Sequence, residues 1–361
     1  MEFELFCTCG PQVTNHAGCL IGDIWYVYGG VGDVKDNCPI SSFYSLNMKS
    51  KIWTNLSNLS MKNEKIPPLS HHTVISLQNN FVVLIGGWNG KKRISAVYIY
   101  NIQSKKWTIP TVVGFPKDAG LSSHTSTVVI DDCQSEIAQI LIIGREGSLR
   151  THRRYGNAYL LNISLDNFQC VYKNLSNKTA SRSGHSTIIT KNYTYIIGGR
   201  QNLSLEVHGN NWCNANNKTN TFIENNVNIN TNHLMKLQDA NLKNVHHNTK
   251  QPCGRRRQIV VSTNMGLLMY GGETMDGRSR KPVNEIWILT LQNNLNPNDS
   301  SKSRLKKSNA FYNCWVRLKH SKLHRASSIS CIYENQLYVH GGIDENEKVV
   351  CDVHVLRSFV Q

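Results

Sequence analysis

The heptapeptide Phe81-Val-Val-Leu-Ile-Gly-Gly87 decides the fold, because similar phrases recur along the whole chain. Its run of β-branched and aromatic residues favours a strand that is buried on both faces. The glycines that end the run allow positive φ angles and close backbone approach. The other five copies end at Gly30, Arg145, Gly199, Gly272 and Gly342. In the third copy, Arg145 replaces the second glycine of the pair.

The copies recur at a nearly fixed period. Their first glycines are Gly29, Gly86, Gly144, Gly198, Gly271 and Gly341, which gives gaps of 57, 58, 54, 73 and 70 residues. A regular period of this kind indicates a propeller or a solenoid, in which one supersecondary unit is repeated.

Each unit can be divided into four strands, a to d, of which the glycine phrase is strand b. Strand a follows a polar turn that carries histidine in the first four units (His16, His71, His72, His124 and His185) and arginine in the last two (Arg256 and Arg325). Strand c alternates apolar and polar residues, and strand d begins at an aromatic residue (Trp53, Trp107, Tyr172 and Trp315). The histidines come from different units, so we expect them to serve packing and hydrogen bonding, with a metal site as the weaker alternative.

A glycine pair, then a tyrosine, then a tryptophan, repeated in this way, resembles the kelch repeat, and the resemblance covers essentially the whole chain. It implies four-stranded blades of a β-propeller. It also implies that the glycines pack tightly near the axis and that each tryptophan wedges against a neighbouring blade. We therefore expect an all-β fold, a six-bladed kelch β-propeller that forms one domain over residues 1–361.

The blades are predicted at 11–66, 67–116, 117–178, 179–250, 251–321 and 322–361. The fourth holds an Asn-rich insertion with a short helix predicted over 233–242, and lacks a clean pair of strands c and d. The fifth holds a basic insertion over 292–309. The sixth ends after strand c, so residues 1–10 are expected to supply its outer strand and close the ring, which removes a bare sheet edge.

The sequence also bears on membrane insertion, secretion and the state of the cysteines. No window of 18 uncharged apolar residues occurs, so no membrane span is predicted. The amino terminus has acidic residues where a signal peptide has basic ones. We expect an intracellular, soluble monomer in the cytoplasm, with the nucleus as the alternative. The eleven cysteines lack metal-binding spacing and are interpreted as reduced thiols.

The net charge of +16 favours acidic partners. Basic residues concentrate in the b–c loops and in the turns that lead into strand a, which share one face of a propeller, and arginine binds carboxylate or phosphate through two parallel hydrogen bonds. The candidate partner-binding residues are Arg145, Glu146, Arg150, His152, Arg153, Arg154, Arg182, Arg200, Arg255, Arg256, Arg278 and Arg325. The alternative is a solvated surface, and for Arg145 a structural pair with Glu146.

The function predicted from these features is a non-catalytic protein–protein interaction module that docks acidic peptides or proteins on the basic face, without a cofactor. A cyclin partner is implied by the resemblance alone. Binding of nucleic acid or another polyanion through the same face is the alternative, although the aromatic residues are placed in strands rather than among the basic residues. A propeller enzyme is disfavoured, because the chain has no Gly-rich phosphate loop, HExxH or GxSxG motif.

Overall fold

A computed structural model describes residues 2–57, 66–131, 137–144, 157–178, 182–191, 193–199, 205–209, 252–264, 266–276, 279–290, 314–318 and 321–357. Within these ranges every regular element is a β-strand, and the strands form small, mostly antiparallel sheets. The same ranges contain no helix that could span a membrane.

Strand β1 (Phe3–Cys7) comes first in the chain but belongs to the last sheet. The first sheet has the order β2 (Ala17–Ile21), β3 (Ile24–Tyr28), β4 (Phe43–Asn47) and β5 (Ile52–Asn55). The second has the order β6 (Thr73–Leu77), β7 (Phe81–Trp88), β8 (Arg93–Asn101) and β9 (Lys106–Thr108). In both sheets consecutive strands pair antiparallel, as strands a to d of the repeat require.

The third sheet has a fifth strand that the sequence did not predict. It contains β10 (Val112–Val113), β11 (Thr125–Ile130), β12 (Ile137–Ile143), β13 (Asn157–Ser164) and β14 (Cys170–Lys178). Strand β10 pairs parallel to the outer strand β14. The fourth sheet consists of β15 (His185–Ile189), β16 (Tyr193–Gly198) and β17 (Leu205–Gly209), so β17 supplies its strand c.

The fifth unit contains two sheets. Its strands are β18 (Arg255–Arg256), β19 (Ile259–Thr263), β20 (Gly266–Tyr270), β21 (Glu273–Asp276), β22 (Ser279–Pro282), β23 (Ile286–Thr290) and β24 (Cys314–Arg317). Strands β19, β20, β23 and β24 form the four-stranded repeat sheet, while β18, β21 and β22 form a separate small sheet from the turn before strand a and the b–c loop. The predicted helix over 233–242 and the insertion over 292–309 lie outside the described residues.

The last sheet joins the two ends of the chain. Its strands are β25 (Ile329–Tyr333), β26 (Gln336–His340) and β27 (Val353–Leu356), and β1 pairs antiparallel with β27 as its outer strand. Phe3 of β1 packs 4.5 Å from Tyr270 of the fifth unit, and Phe6 packs 4.8 Å from Tyr338 of its own sheet (ring centroids). The pairing expected for the amino-terminal segment is therefore present.

The core lies between neighbouring sheets. Along β7, Val83 packs with Ile140 of the third sheet, while Val82 packs with Tyr28 of the first. Successive side chains of a strand point to opposite faces, so the glycine phrase is apolar throughout because both of its faces are covered. A Cβ atom on Gly29, which has a φ of +64°, would lie 2.3 Å from the carbonyl oxygen of Leu69 in the next unit, so this glycine permits the close approach of two units.

The tryptophans of strand d contact the preceding sheet. The Trp107 ring lies 5.3 Å from Phe43 of the first sheet, and the Trp53 ring lies 4.9 Å from His340 of the last sheet (ring centroids). Trp315 packs against the cluster of buried residues that includes Tyr195 and Ile197 of the fourth sheet. These rings fill the wedge-shaped space between adjacent sheets.

Candidate partner-binding face

Six residues, one before each strand a, form a closed set of backbone hydrogen bonds that we call the axis ring. Its members have φ angles between +51° and +69°, and each N–H donates to the carbonyl of the corresponding residue in the preceding unit, at N···O distances of 2.6–3.3 Å. They are Asn15, His71, Ser123, Gly184, Arg257 and Ser327. The N–H of Asn15 donates to Ser327 at 3.2 Å, which joins the first unit to the last.

The residue that follows each ring member is buried in the first five units and links neighbouring units. Nε2 of His124 lies 3.2 Å from Oγ1 of Thr73 in the preceding unit, and Nε2 of Gln258 donates to the Ile197 carbonyl at 2.7 Å. Nε2 of His16 lies 3.1 Å from Nδ1 of His340 in the last unit. These side chains serve contacts between units, and the described residues contain no group of three metal-ligating side chains.

Burial keeps these histidines neutral. It lowers the pKa of His72, His124, His185 and His340 from 6.5 to about 3, and the pKa of His16 well below its usual value. Removal from water disfavours the charged imidazolium, and for His16 and His72 a neighbouring histidine acts in the same direction.

The residue two positions before each ring member differs in chemical type between the first three units and the last three. The first three units carry Val13, Leu69 and Leu121 there, and the last three carry Arg182, Arg255 and Arg325. The three arginines are only 2%, 1% and 5% exposed.

All three buried guanidiniums are bound within the chain. Nη2 of Arg325 donates to both carboxylate oxygens of Asp352, at 2.7 and 2.9 Å. Nη2 of Arg255 donates to Glu285, and Nη1 of Arg182 donates to the Gly198 carbonyl at 3.3 Å. These three predicted docking residues are therefore buried and bonded within their own units, and their side chains do not lie on the exposed surface.

Beside the axis ring, three arginines surround one carboxylate, and we call this group the Glu273 cluster. Arg256 donates from Nε to Oε1 of Glu273, Nη1 of Arg280 lies 3.8 Å from the same oxygen, and Nη1 of Arg257 lies 4.0 Å from it. Burial lowers the pKa of Arg257, with Glu273 opposing the shift and Arg256 adding to it. The cluster holds two more positive charges than negative ones.

Comparison with known proteins identifies the repeat. The family model described as "KLHDC2/KLHL20/DRC7 Kelch-repeats domain" matches residues 8–199. The chain belongs to the kelch-repeat family. It is similar to Kelch domain-containing protein 9 of Homo sapiens and of Mus musculus, each at 26% identity over 81% of this chain and 78% of the relative.

A solved structure supports the same fold. "Structure of YjhT" superposes with a TM-score of 0.61, covering 98% of this chain and 97% of that chain at 14% sequence identity. Sequence and architecture therefore agree on a kelch β-propeller.

The Arg256–Glu273 pair occupies strand positions that carry no charge in three other units. Arg256 and Glu273 face each other in the β18–β21 pair. The corresponding bridges elsewhere are Thr14–Val31, Ser70–Trp88 and Ala326–Ile343. At these positions the first, second and sixth units are built with uncharged residues, so among these four units the charged pair is found only in the fifth.

Exposed charges on the kelch loops differ between units. The b–c loops of the second and fifth units expose the basic residues Lys91, Lys92, Arg280 and Lys281. Those of the first and last units expose both signs of charge, the acidic residues Asp33, Asp36, Glu345 and Glu347 and the basic residues Lys35 and Lys348. The charges predicted for this face did not include Asp33 and Asp36, although both stand in the loop that follows Gly30.

The remaining candidates from the sequence are not placed by the structure. Arg145, Glu146, Arg150, His152, Arg153, Arg154, Arg200 and Arg278 lie outside the described residues. The structure brings Arg256 together with Arg257 and Arg280, neither of which stood among the leading candidates.

Proposed function

We propose that this kelch protein is a closed, six-bladed propeller that docks an acidic peptide or protein on the face formed by its b–c loops and the turns into strand a. Kelch-repeat domains generally mediate protein–protein interactions. The proposed role is non-catalytic. The basic b–c loops of the second and fifth units provide the first contact with the partner.

The axis ring supports the closure. Its six hydrogen bonds return to their starting residue through Asn15 and Ser327, and β1 covers the outer edge of the last sheet. A closed disc holds all b–c loops at one end, because the antiparallel strands of each repeat sheet are ordered outward from an inner strand a that runs in the same direction in every unit.

The Glu273 cluster carries the functional proposal. Three guanidiniums share one carboxylate that is 6% exposed, while the side chains of Arg256, Arg257 and Arg280 are 23%, 24% and 48% exposed. The acid is buried and the bases reach solvent, so the outward face of the cluster is positive. Arginine is the residue best suited to bind carboxylates or phosphates from such a position.

The buried histidines support a non-catalytic role. General acid–base catalysis works best when the pKa of the catalytic group lies near the working pH. Burial holds the pKa of His124 and His185 at about 3, and Nε2 of each lies 3.2 Å from a threonine hydroxyl of the preceding unit. We therefore assign them to contacts between units.

Binding of a fluorescent Glu-rich peptide to the full chain, followed by anisotropy, tests the proposal. The double change Arg280→Glu/Lys281→Glu in the fifth b–c loop should weaken binding by about tenfold or more, since it replaces attraction with repulsion. The matched control Lys105→Glu/Lys106→Glu changes the same charge in the turn at the opposite end of the second sheet. Equal losses in both variants would contradict a defined docking face.

The same variants test the polyanion alternative. A random single-stranded oligonucleotide that binds with a steep dependence on salt, and more tightly than the peptide, would favour nucleic acid. The proposal predicts the reverse order of affinities, with the peptide bound more tightly at physiological salt.

A further inference from the structure

We propose that Arg256, Arg257 and Arg280 form a subsite for a phosphate monoester, the anchor by which a phosphorylated side chain of the partner docks at the axis. This inference rests on the proposed function and specifies its ligand. It follows from the charge of the Glu273 cluster, from the hydrogen-bond partners of Arg257, and from the position of that residue in the repeat.

The charge of the cluster selects a dianion. Three guanidiniums lie around one carboxylate, with Arg256 hydrogen-bonded to it and Arg280 and Arg257 at 3.8 and 4.0 Å, which leaves a net charge of +2. A carboxylate ligand would leave one positive charge uncompensated. A phosphate monoester carries a charge of about −1.5 to −2 at pH 7, and its three terminal oxygens can accept hydrogen bonds from separate guanidiniums.

Neutral groups occupy the donors of Arg257. Its Nη1 donates to Oγ of Ser327 at 3.2 Å, and its Nη2 lies 3.2 Å from Nε2 of His71. A guanidinium only donates, so Nε2 of His71 accepts, which leaves Nδ1–H to donate to Oγ of Ser70 at 3.1 Å. The imidazole is therefore neutral in this arrangement.

Phosphate oxygens would form stronger hydrogen bonds with Arg257 than Ser327 and His71 do. Hydrogen bonds between a guanidinium and an anionic oxygen are about twice as strong as those to neutral acceptors. Arg257 can exchange Ser327 and His71 for a phosphate without leaving a buried charge unpaired, because Glu273 remains 4.0 Å from its Nη1. The structure thus holds the guanidinium in place at the axis with partners that a stronger ligand can displace.

The position of Arg257 in the repeat shows that the fold does not require it. The other five members of the axis ring are Asn15, His71, Ser123, Gly184 and Ser327, all shorter side chains. Each makes the same backbone hydrogen bond to its neighbour. An arginine at this one position, beside a second charged pair that is also specific to the fifth unit, is best explained by an anionic ligand.

Calorimetric titration of the full chain tests the subsite. Inorganic phosphate should bind at an ionic strength where acetate does not. A phosphoserine peptide should bind about tenfold or more tightly than both inorganic phosphate and the same peptide with glutamate at that position. Arg257→Gln and Arg280→Gln should each weaken phosphopeptide binding by about tenfold or more, the usual effect of losing a hydrogen bond to a charged group. The control Lys106→Gln should bind as the unaltered chain does.

The outcomes separate this inference from the proposed function. If the glutamate peptide binds as tightly as the phosphopeptide and responds to Arg280→Gln, the phosphate inference is overturned and acidic docking stands. If inorganic phosphate binds as tightly as the phosphopeptide, the site takes a free anion and the anchoring role is overturned. If neither peptide binds, the proposed function fails, whatever inorganic phosphate does. Arg280 is half-exposed on a surface strand, so Arg280→Gln keeps the test valid if Arg257→Gln does not fold.

Discussion

Lowering the pH from 7.5 to 5 should strongly destabilise this propeller. His72, His124, His185 and His340 are buried as neutral rings, and burial lowers the pKa of each from 6.5 to about 3. Between these values the unfolded chain binds protons that the folded chain does not. The free energy of unfolding therefore has its full value above pH 6.5 and falls progressively as the pH drops from 6.5 towards 3.

The magnitude follows from the size of the shifts. One pKa unit corresponds to about 1.4 kcal/mol, so each histidine costs about 2 kcal/mol at pH 5, and the four together cost about 8 kcal/mol. The whole stability of a domain is usually about 5–15 kcal/mol. Loss of this contribution should thus remove about half or more of such a stability in mild acid.

Denaturant unfolding followed by circular dichroism, at intervals from pH 7.5 to 5, measures this effect. His124→Gln is the informative variant, because Gln258 already fills the corresponding position in the fifth unit and donates across to Ile197. It should lower the slope of unfolding free energy against pH by about a fifth, because His16 contributes in the same direction as the other four buried histidines. His324→Gln is the control, since His324 is about one-third exposed beside Glu345. An unchanged slope in His124→Gln would refute the argument.

Three further predictions concern the packing between units, the amino-terminal strand and a buried ion pair. Trp107→Ala should cost about 3–5 kcal/mol of unfolding free energy by denaturant titration, because the ring fills the space against Phe43 of the first sheet, and a cost below about 1 kcal/mol would contradict that packing. Deleting residues 2–9 removes β1 and bares β27, so the melting temperature and solubility should both fall, and unchanged values would count against a sealing role. Arg325→Leu should cost about 3 kcal/mol by removing both hydrogen bonds that Asp352 accepts from Arg325, while Arg325→Leu/Asp352→Leu should recover most of it, as the aliphatic residues of the first three units suggest; no recovery would show that the pair stabilises on its own account.

The repeated strands could be predicted from the sequence because their signals are local. The stretch Phe81–Gly87 predicts a strand that is buried on both faces and contains the glycines that end it. Six such stretches indicate the kelch-repeat family. The pairing of β1 with β27 was also predictable, since the last unit visibly lacks its strand d. Strand β10 was not, because a two-residue parallel pairing such as Val112–Val113 leaves no periodic pattern.

The location of each arginine could not be read from charge alone. Arg255 and Arg325 look like surface residues until Glu285 and Asp352, 30 and 27 residues further along, are seen to face them. The signal was nevertheless present, since both acids stand at or just before the start of strand c in their units. The Glu273 cluster depends on β18, β21 and β22 meeting in a small sheet, and strands this short carry no pattern of their own.

The central claim is that six units close into one disc through the axis ring, and hydrogen–deuterium exchange at the ring amides tests it most directly. We predict that the peptides containing Asn15, His71, Ser123, Gly184, Arg257 and Ser327 exchange slowly and with similar protection, and that deleting residues 2–9 lowers the protection of all six together. Rapid exchange at Asn15 alone, whose N–H donates to Ser327 across the joint between the first and last units, with protection kept at the other five, would show an open chain of units and contradict the account.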